Sequence, residues 1–127
     1  MIEKLVESTF IKRYIAMFIV TISAVMHTSV AAHAESEKSI ELIAEEFAFL
    51  PAEIEIEAGQ ILTITLKNHG ALAHNITFTN MDIETETIQG GSETTTQVRF
   101  DQSGRYEYIC SVPGHANAGM RGVVIVK

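Results

Sequence analysis

The chain has 127 residues, a formal charge of −7 at neutral pH, one cysteine and no tryptophan. An acidic balance excludes the basic surface that nucleic acid or anionic lipid would require. A lone cysteine excludes an internal disulfide.

Lys12 and Arg13 precede a twelve-residue apolar stretch, Tyr14 to Val25, too short to span a bilayer comfortably. Small residues follow and end in Ala32-His33-Ala34, the pattern of a cleavage site. Residues 1–34 therefore read as a signal peptide, and residues 35–127 as one exported domain in the periplasm or another extracytoplasmic space. The alternative is an uncleaved anchor from Tyr14 to about Ala34. His27, Thr28, Ser29 and His33 weigh against it, because polar groups are costly in hydrocarbon. After cleavage the domain is not inserted in the membrane. Residues 35–127 are enough for one domain and not two. They hold six basic and fourteen acidic side chains, a formal charge of −8 that suits solubility and docking on a basic partner. In an oxidising compartment cysteines normally pair. Cys110 must then be buried and inert, joined to another chain, or engaged in chemistry.

Taken in chain order, the domain reads as short strands separated by turn signals. Ile40 to Phe49 is mixed and closes at Leu50-Pro51. Glu53 to Glu57 alternates without exception between a charged and an apolar face. The acidic face is expected to be solvated and to blunt a sheet edge. Ala58-Gly59-Gln60 is a turn, Leu62 to Leu66 alternates again, and a thirteen-residue span closing at Lys67 reads as a hairpin. Asn68-His69-Gly70 breaks the pattern, and His74 opens a strand carrying Ile76 and Phe78. Residues 80–92 alternate weakly, with Gly90-Gly91 marking a turn. Thr94 to Phe100 places Thr96, Val98 and Phe100 on one side, and Tyr106, Tyr108 and Cys110 share a face of the next strand. Gly122 to Lys127 is apolar on both faces. No window shows a 3.6-residue period. About seven strands at this spacing predict an all-β fold, an antiparallel β-sandwich.

The chemistry is concentrated near the C-terminus. Cys110, His115 and Met120 lie in one loop between two apolar runs, and His74 stands at the start of another strand. A thiolate, an imidazole and a thioether are ligands that favour copper, and a second imidazole completes a His2Cys set with a weak axial methionine. Taken singly, each residue has a plainer reading: a small buried cysteine, a strand-end histidine, a loop histidine and a core methionine. Their order and spacing at strand ends make the joint reading the stronger one. Met81 competes with Met120 for the axial role, and the loop position favours Met120. His69 reads as a surface histidine. Asn75, beside His74, is placed to hydrogen-bond across to the Ser111 backbone and hold the two ligand segments together.

Residues 40–127 resemble a cupredoxin, the small Greek-key sandwich that holds one type 1 copper. The motifs that carry the resemblance are Gly70-x3-His74-Asn75 and Tyr108-x-Cys110-x2-Pro113-Gly114-His115-x4-Met120, with Phe47-x-Phe49-x-Pro51 similar to the family's opening strands. The resemblance implies that His74, Cys110 and His115 are equatorial ligands and Met120 the axial one. The chain is similar to plastocyanins and azurins, with the spacing of its ligand loop closer to the rusticyanin and sulfocyanin types.

The function expected on this basis is a soluble, monomeric one-electron carrier. Its partners would be other redox proteins, such as a cytochrome or a copper oxidase or reductase, met outside the cytoplasm. Around His115, small residues (Pro113, Gly114, Ala116 and Ala118, with Gly70, Ala71, Leu72 and Ala73 opposite) are expected to form a flat apolar patch at an exposed imidazole edge. The runner-up is a periplasmic protein for copper storage or delivery. No enzyme activity is expected. Copper oxidases and nitrite reductases need further metal ions on His-x-His pairs, which residues 35–127 lack, and a binuclear purple site needs a second cysteine.

Overall fold

The computed structural model describes residues 36–127; the expected signal peptide, residues 1–34, lies outside them. The described residues form nine strands and no α-helix. The strands are β1 Glu37–Glu45, β2 Ala48–Leu50, β3 Glu53–Ile56, β4 Ile61–Asn68, β5 Thr77–Phe78, β6 Ile83–Glu84, β7 Glu93–Arg99, β8 Gly104–Ile109 and β9 Arg121–Val126. They build two sheets, one ordered β2-β1-β4-β7 and the other β3-β9-β8-β5-β6. Two sheets packed face to face make the β-sandwich that the alternating pattern predicts.

The period of two sets which side chains enter the core. Along β4, Leu62, Ile64, Leu66 and Asn68 are buried while Ile61, Thr63, Thr65 and Lys67 are half-buried. β1 adds Leu42 and Ala44, and β7 adds Val98. The other sheet contributes Ile54, Ile56, Phe78, Tyr108, Val124 and Val126 to the same apolar cluster. Each such Leu, Ile, Phe or Val side chain contributes about 1.5–3 kcal/mol relative to exposure. The aromatic rings meet at offset and edge-on geometries: Phe49 with Tyr108 at 5.4 Å, Phe78 with Tyr108 at 5.7 Å, and Phe100 with Phe78 at 5.7 Å.

Three expectations are corrected here. The span closing at Lys67 is not a hairpin, because β3 and β4 belong to different sheets. The turn at Ala58-Gly59-Gln60 carries the chain across the sandwich instead of folding it back. Gly59 takes φ +84, its N–H donates to Phe100 O at 2.7 Å, and Ala58 N donates to Lys127 O at 2.9 Å. Those partners lie on other segments, so the turn is pinned to the corner of the fold. Nor are the sheets wholly antiparallel. β1 runs parallel to β4, and β3 runs parallel to β9 from Glu53 opposite Val123 to Ile56 opposite Val126. The predicted strand from His74 is also shorter, since only Thr77–Phe78 joins the sheet, and His74 makes a single bridge to Ile88.

β3 is an edge strand, as its glutamates suggest. Glu53 and Glu55 point to solvent, and the Glu55 carboxylate takes a 2.7 Å ion pair from Lys127. Charges on an exposed edge discourage pairing with a second chain.

Tyr108 lies opposite Gly122 in the β8–β9 register, and its hydroxyl donates to Pro51 O at 3.2 Å. A Cβ at Gly122 would meet the Tyr108 ring and stand 2.7 Å from the Ala52 carbonyl oxygen. Gly122→Ala is therefore expected to destabilise the domain by about 1–3 kcal/mol, the usual cost of overpacking a core. A lowered urea midpoint with unchanged slope is the result expected; an unchanged midpoint would show that the ring yields freely.

Candidate metal centre

The candidate residues gather at the end of the sandwich where β1, β4 and β8 finish and β9 begins. Cys110 follows β8 directly, and Met120 immediately precedes β9. The Cys110 N–H donates to Met120 O at 3.1 Å, extending the β8–β9 ladder one step beyond the strands. The loop between them is wound tightly. His115 N donates to Val112 O at 3.1 Å, Ala118 N to Gly114 O at 3.0 Å, and Met120 N to His115 O at 3.1 Å. Gly114 (φ +87) and Gly119 (φ +106) supply left-handed turns that side chains with a Cβ rarely adopt. Arg121 braces the loop from outside, donating to Glu107 at 2.8 Å and to Ala116 O at 3.1 Å.

His74 arrives from a separate segment. Its backbone exchanges two hydrogen bonds with Ile88, at 3.0 and 2.9 Å. Its loop is shaped by Asn68, a fully buried side chain whose Nδ2 donates to Leu72 O at 2.7 Å and Ile88 O at 3.0 Å. Asn68 Oδ1 accepts from Gly70 N at 2.9 Å, an Asx turn.

These backbones bring together His74, Cys110 and His115, whose ligand atoms all lie within 4.8 Å of one another. Cys110 Sγ is 3.5 Å from His115 Nδ1 and 3.9 Å from His74 Nδ1, and the two Nδ1 atoms are 3.2 Å apart. All three residues are buried, as is Met120, which is 0% exposed. Met81 sits elsewhere. It follows β5, whose antiparallel pairing with β8 carries the chain past Phe78 away from the Cys110 end. His69 is exposed, as expected of a surface histidine.

A buried thiol facing two imidazole nitrogens, with no carboxylate in the cluster, fits a soft-to-borderline metal ion. Zinc sites seldom take a thioether, whereas a His2Cys set with methionine suits copper. Burial lowers the pKa of His74 below its ordinary value, and the neighbouring His115 lowers it further, with Glu46 opposing. A neutral imidazole is the form that binds metal.

The expected bridge between the ligand segments is present. Ser111 N donates to Asn75 Oδ1 at 2.9 Å, and Asn75 Nδ2 donates to Ser111 Oγ at 2.8 Å. Three neighbours are not foreseen from the sequence. Glu46 accepts from Ala71 N at 2.5 Å and Leu72 N at 3.0 Å, which holds its carboxyl below the usual range and ties the β1–β2 turn to the His74 loop. Phe47, next in that turn, sets its ring edge-on to His115 at 5.4 Å and 89°. It does so with φ +65, an unusual backbone for a bulky residue, costing about 1–3 kcal/mol. Glu84 accepts from Asn75 Nδ2 at 2.9 Å. Phe47 also accounts for a difference from expectation. His115 is only 8% exposed, less open than its small loop neighbours suggest, because an aromatic ring from another segment packs against it.

The lowered pKa of His74 sets a pH dependence for the metal-free protein. The unfolded chain takes up a proton that the folded chain resists, so this stability is complete above pH 6.5 and declines as the pH falls below it. Urea midpoints measured above and below that value should fall on acidification well before ordinary carboxylates titrate. Equal midpoints would contradict the buried, neutral His74.

Comparison with known proteins agrees with this geometry. Residues 15–126 match the family described as the cupredoxin-like domain. Over 91 residues the chain is 32% identical to the chloroplastic plastocyanin of Pisum sativum, covering 63% of this chain. That match takes in 52% of the plastocyanin, so the chain spans about half the length of this relative. The copper-resistant cuproprotein CopI of Pseudomonas aeruginosa is 23% identical over 142 residues, with 74% of this chain and 78% of that protein covered. Among solved structures, auracyanin A, a "blue" copper protein of Chloroflexus aurantiacus, superimposes with a TM-score of 0.66 and 26% identity. That superposition covers 72% of this chain and all of auracyanin A. The fold, the buried His-Cys-His cluster and the sequence match converge, and the chain belongs to the cupredoxin-like domain family.

Proposed function

We propose that the domain is a type 1 copper protein that carries single electrons between redox proteins outside the cytoplasm, after export by residues 1–34. His74, Cys110 and His115 are the strong ligands and Met120 the weak axial one. The observation that carries this reading is the convergence of a buried thiol and two imidazole nitrogens within 4.8 Å, at strand ends fixed by backbone hydrogen bonds. The bound metal would supply a one-electron change between copper(I) and copper(II). Everything else is the work of the chain. Cys110 gives up its proton on binding, His74 is kept neutral by burial, and the sandwich holds all the donors in place through both oxidation states.

His115 is the most exposed of the four ligands and gives the shortest route between the buried cluster and a partner. Beside it stands Phe47, 42% exposed, with Pro113 and Gly114 in the loop of His115 itself, while Leu72, 45% exposed, lies in the loop that leads to His74. A small apolar face of this kind suits brief redox encounters, and the acidic domain steers a basic partner toward it. The protein acts as a monomer and has no enzymatic activity of its own. His69, His74 and His115 are the only histidines of the described residues, too few for the extra metal ions of a copper oxidase.

The ligand assignment is tested by colour and potential. Cys110→Ser should abolish the intense thiolate-to-copper(II) absorption, and Met120→Leu should retain copper with a raised reduction potential, because a donor favouring copper(II) is lost. A serine variant coloured like the parent, or a leucine variant with the parent's potential, would refute the corresponding ligand.

A second reading, copper storage or delivery, is favoured by the similarity to CopI. The two differ in what happens on reduction. A carrier keeps copper(I) against a moderate competing chelator and cycles reversibly, as the backbone-anchored loop favours. Rapid loss of copper on reduction, with transfer to a metal-free acceptor, would replace the carrier reading by the delivery one.

A further inference from the structure

Glu84 stands on β6, opposite Thr77 of β5, and Thr77 in turn lies opposite Ile109, the residue before Cys110. Its Oε1 accepts two hydrogen bonds, from Asn75 Nδ2 at 2.9 Å and from Ser111 Oγ at 3.0 Å. The two donors are joined to each other, Asn75 Nδ2 to Ser111 Oγ at 2.8 Å and Ser111 N to Asn75 Oδ1 at 2.9 Å. Asn75 follows His74 in the chain, and Ser111 follows Cys110. A single carboxylate thus closes a ring of hydrogen bonds between the segments bearing the first imidazole and the thiol.

We infer that Glu84 is a positioning residue for the copper centre, locking the Cys110 segment through Asn75 and Ser111 and biasing the site toward copper(II). The inference rests on the copper reading proposed above.

Three arguments carry it. The primary amide of Asn75 has two ends, and the bridge to the Ser111 peptide needs the oxygen end to face Ser111. A carboxylate at the other end accepts only from the NH2 group, so Glu84 fixes the orientation of the amide. Next, hydrogen bonds to an ionised carboxylate are about twice as strong as neutral ones, and although Glu84 itself is exposed, its amide partner Asn75 is 1% exposed. Third, the oxidised site carries one more positive charge than the reduced site. A fixed negative charge one hydrogen-bonded residue away from both ligand segments therefore favours oxidation and lowers the potential. Glu86, two residues on, is exposed like Glu84, but its carboxylate belongs to no such ring.

The test separates charge from hydrogen bonding. Glu84→Gln keeps the shape and an acceptor oxygen but removes the charge, whereas Glu84→Ala removes both. Glu84→Gln is expected to raise the reduction potential with copper affinity near that of the parent. Glu84→Ala is expected to raise the potential, weaken copper binding roughly 10- to 100-fold, and speed hydrogen exchange of the Ser111 amide in metal-free protein. Glu86→Gln, on the same segment, should shift the potential less than Glu84→Gln does. A Glu84→Gln shift no larger than that of Glu86→Gln, or a Ser111 amide equally protected in Glu84→Ala, would overturn the inference. If the parent itself never develops the thiolate colour with copper, the copper reading fails instead, and exchange in the metal-free protein still decides whether Glu84 holds Ser111.

Discussion

The site depends on one backbone hydrogen bond, from Cys110 N to Met120 O at 3.1 Å. It continues the β8–β9 ladder past the last regular pair, Ile109 opposite Arg121, and so closes the base of the loop that carries His115. With the base closed, the short internal bonds of residues 112–120 aim His115 back over Cys110. The thiol, one imidazole and the thioether are then positioned by adjacent strands of a single sheet, whose far faces are buried against the other layer. Only His74 has to be brought from elsewhere.

Bringing His74 in is the task of several polar side chains that gain nothing from apolar burial. Asn68 folds the loop before it, Glu46 grips that loop from the β1–β2 turn, and Asn75 ties the residue after it to the Cys110 segment. Buried amides are costly unless satisfied, and Asn68 and Asn75 each make two or more hydrogen bonds, while the exposed Glu46 carboxylate accepts two. The same turn that supplies Glu46 supplies Phe47, strained at φ +65 so that its ring reaches His115. Local strain next to a ligand is a sign that the position of that ring matters more than the comfort of its backbone.

The sequence made the strands, their inward faces and the candidate ligands legible, each for a local reason. A period of two is visible within five residues such as Leu62 to Leu66. Cysteine, histidine and methionine are rare, chemically distinctive residues, and their spacing at Cys110, His115 and Met120 can be read without knowing the fold. What stayed hidden was pairing. The alternation of Glu53 to Glu57 says which face is apolar but not which strand lies alongside, and Ala58-Gly59-Gln60 looks the same whether the chain folds back or crosses to the other sheet. The supporting residues were hidden for a similar reason. Glu46 meets Ala71 across 25 positions and Glu84 meets Ser111 across 27, and a glutamate in an acidic chain carries no mark of such a contact. Asn75 was readable because its partner segments were already fixed by the ligands.

The placement of Tyr108 gives the molecule an internal optical reporter. The chain has no tryptophan and three tyrosines, of which Tyr106 and Tyr108 lie in the described domain. Tyr108 is fully buried, its hydroxyl is held by Pro51, and it stands two residues before the thiol on the same face of β8. Its near-ultraviolet emission, together with that of Tyr106, is free of indole background. Tyrosine emission from the unmodified protein therefore carries a contribution from the buried strand that leads into the candidate site.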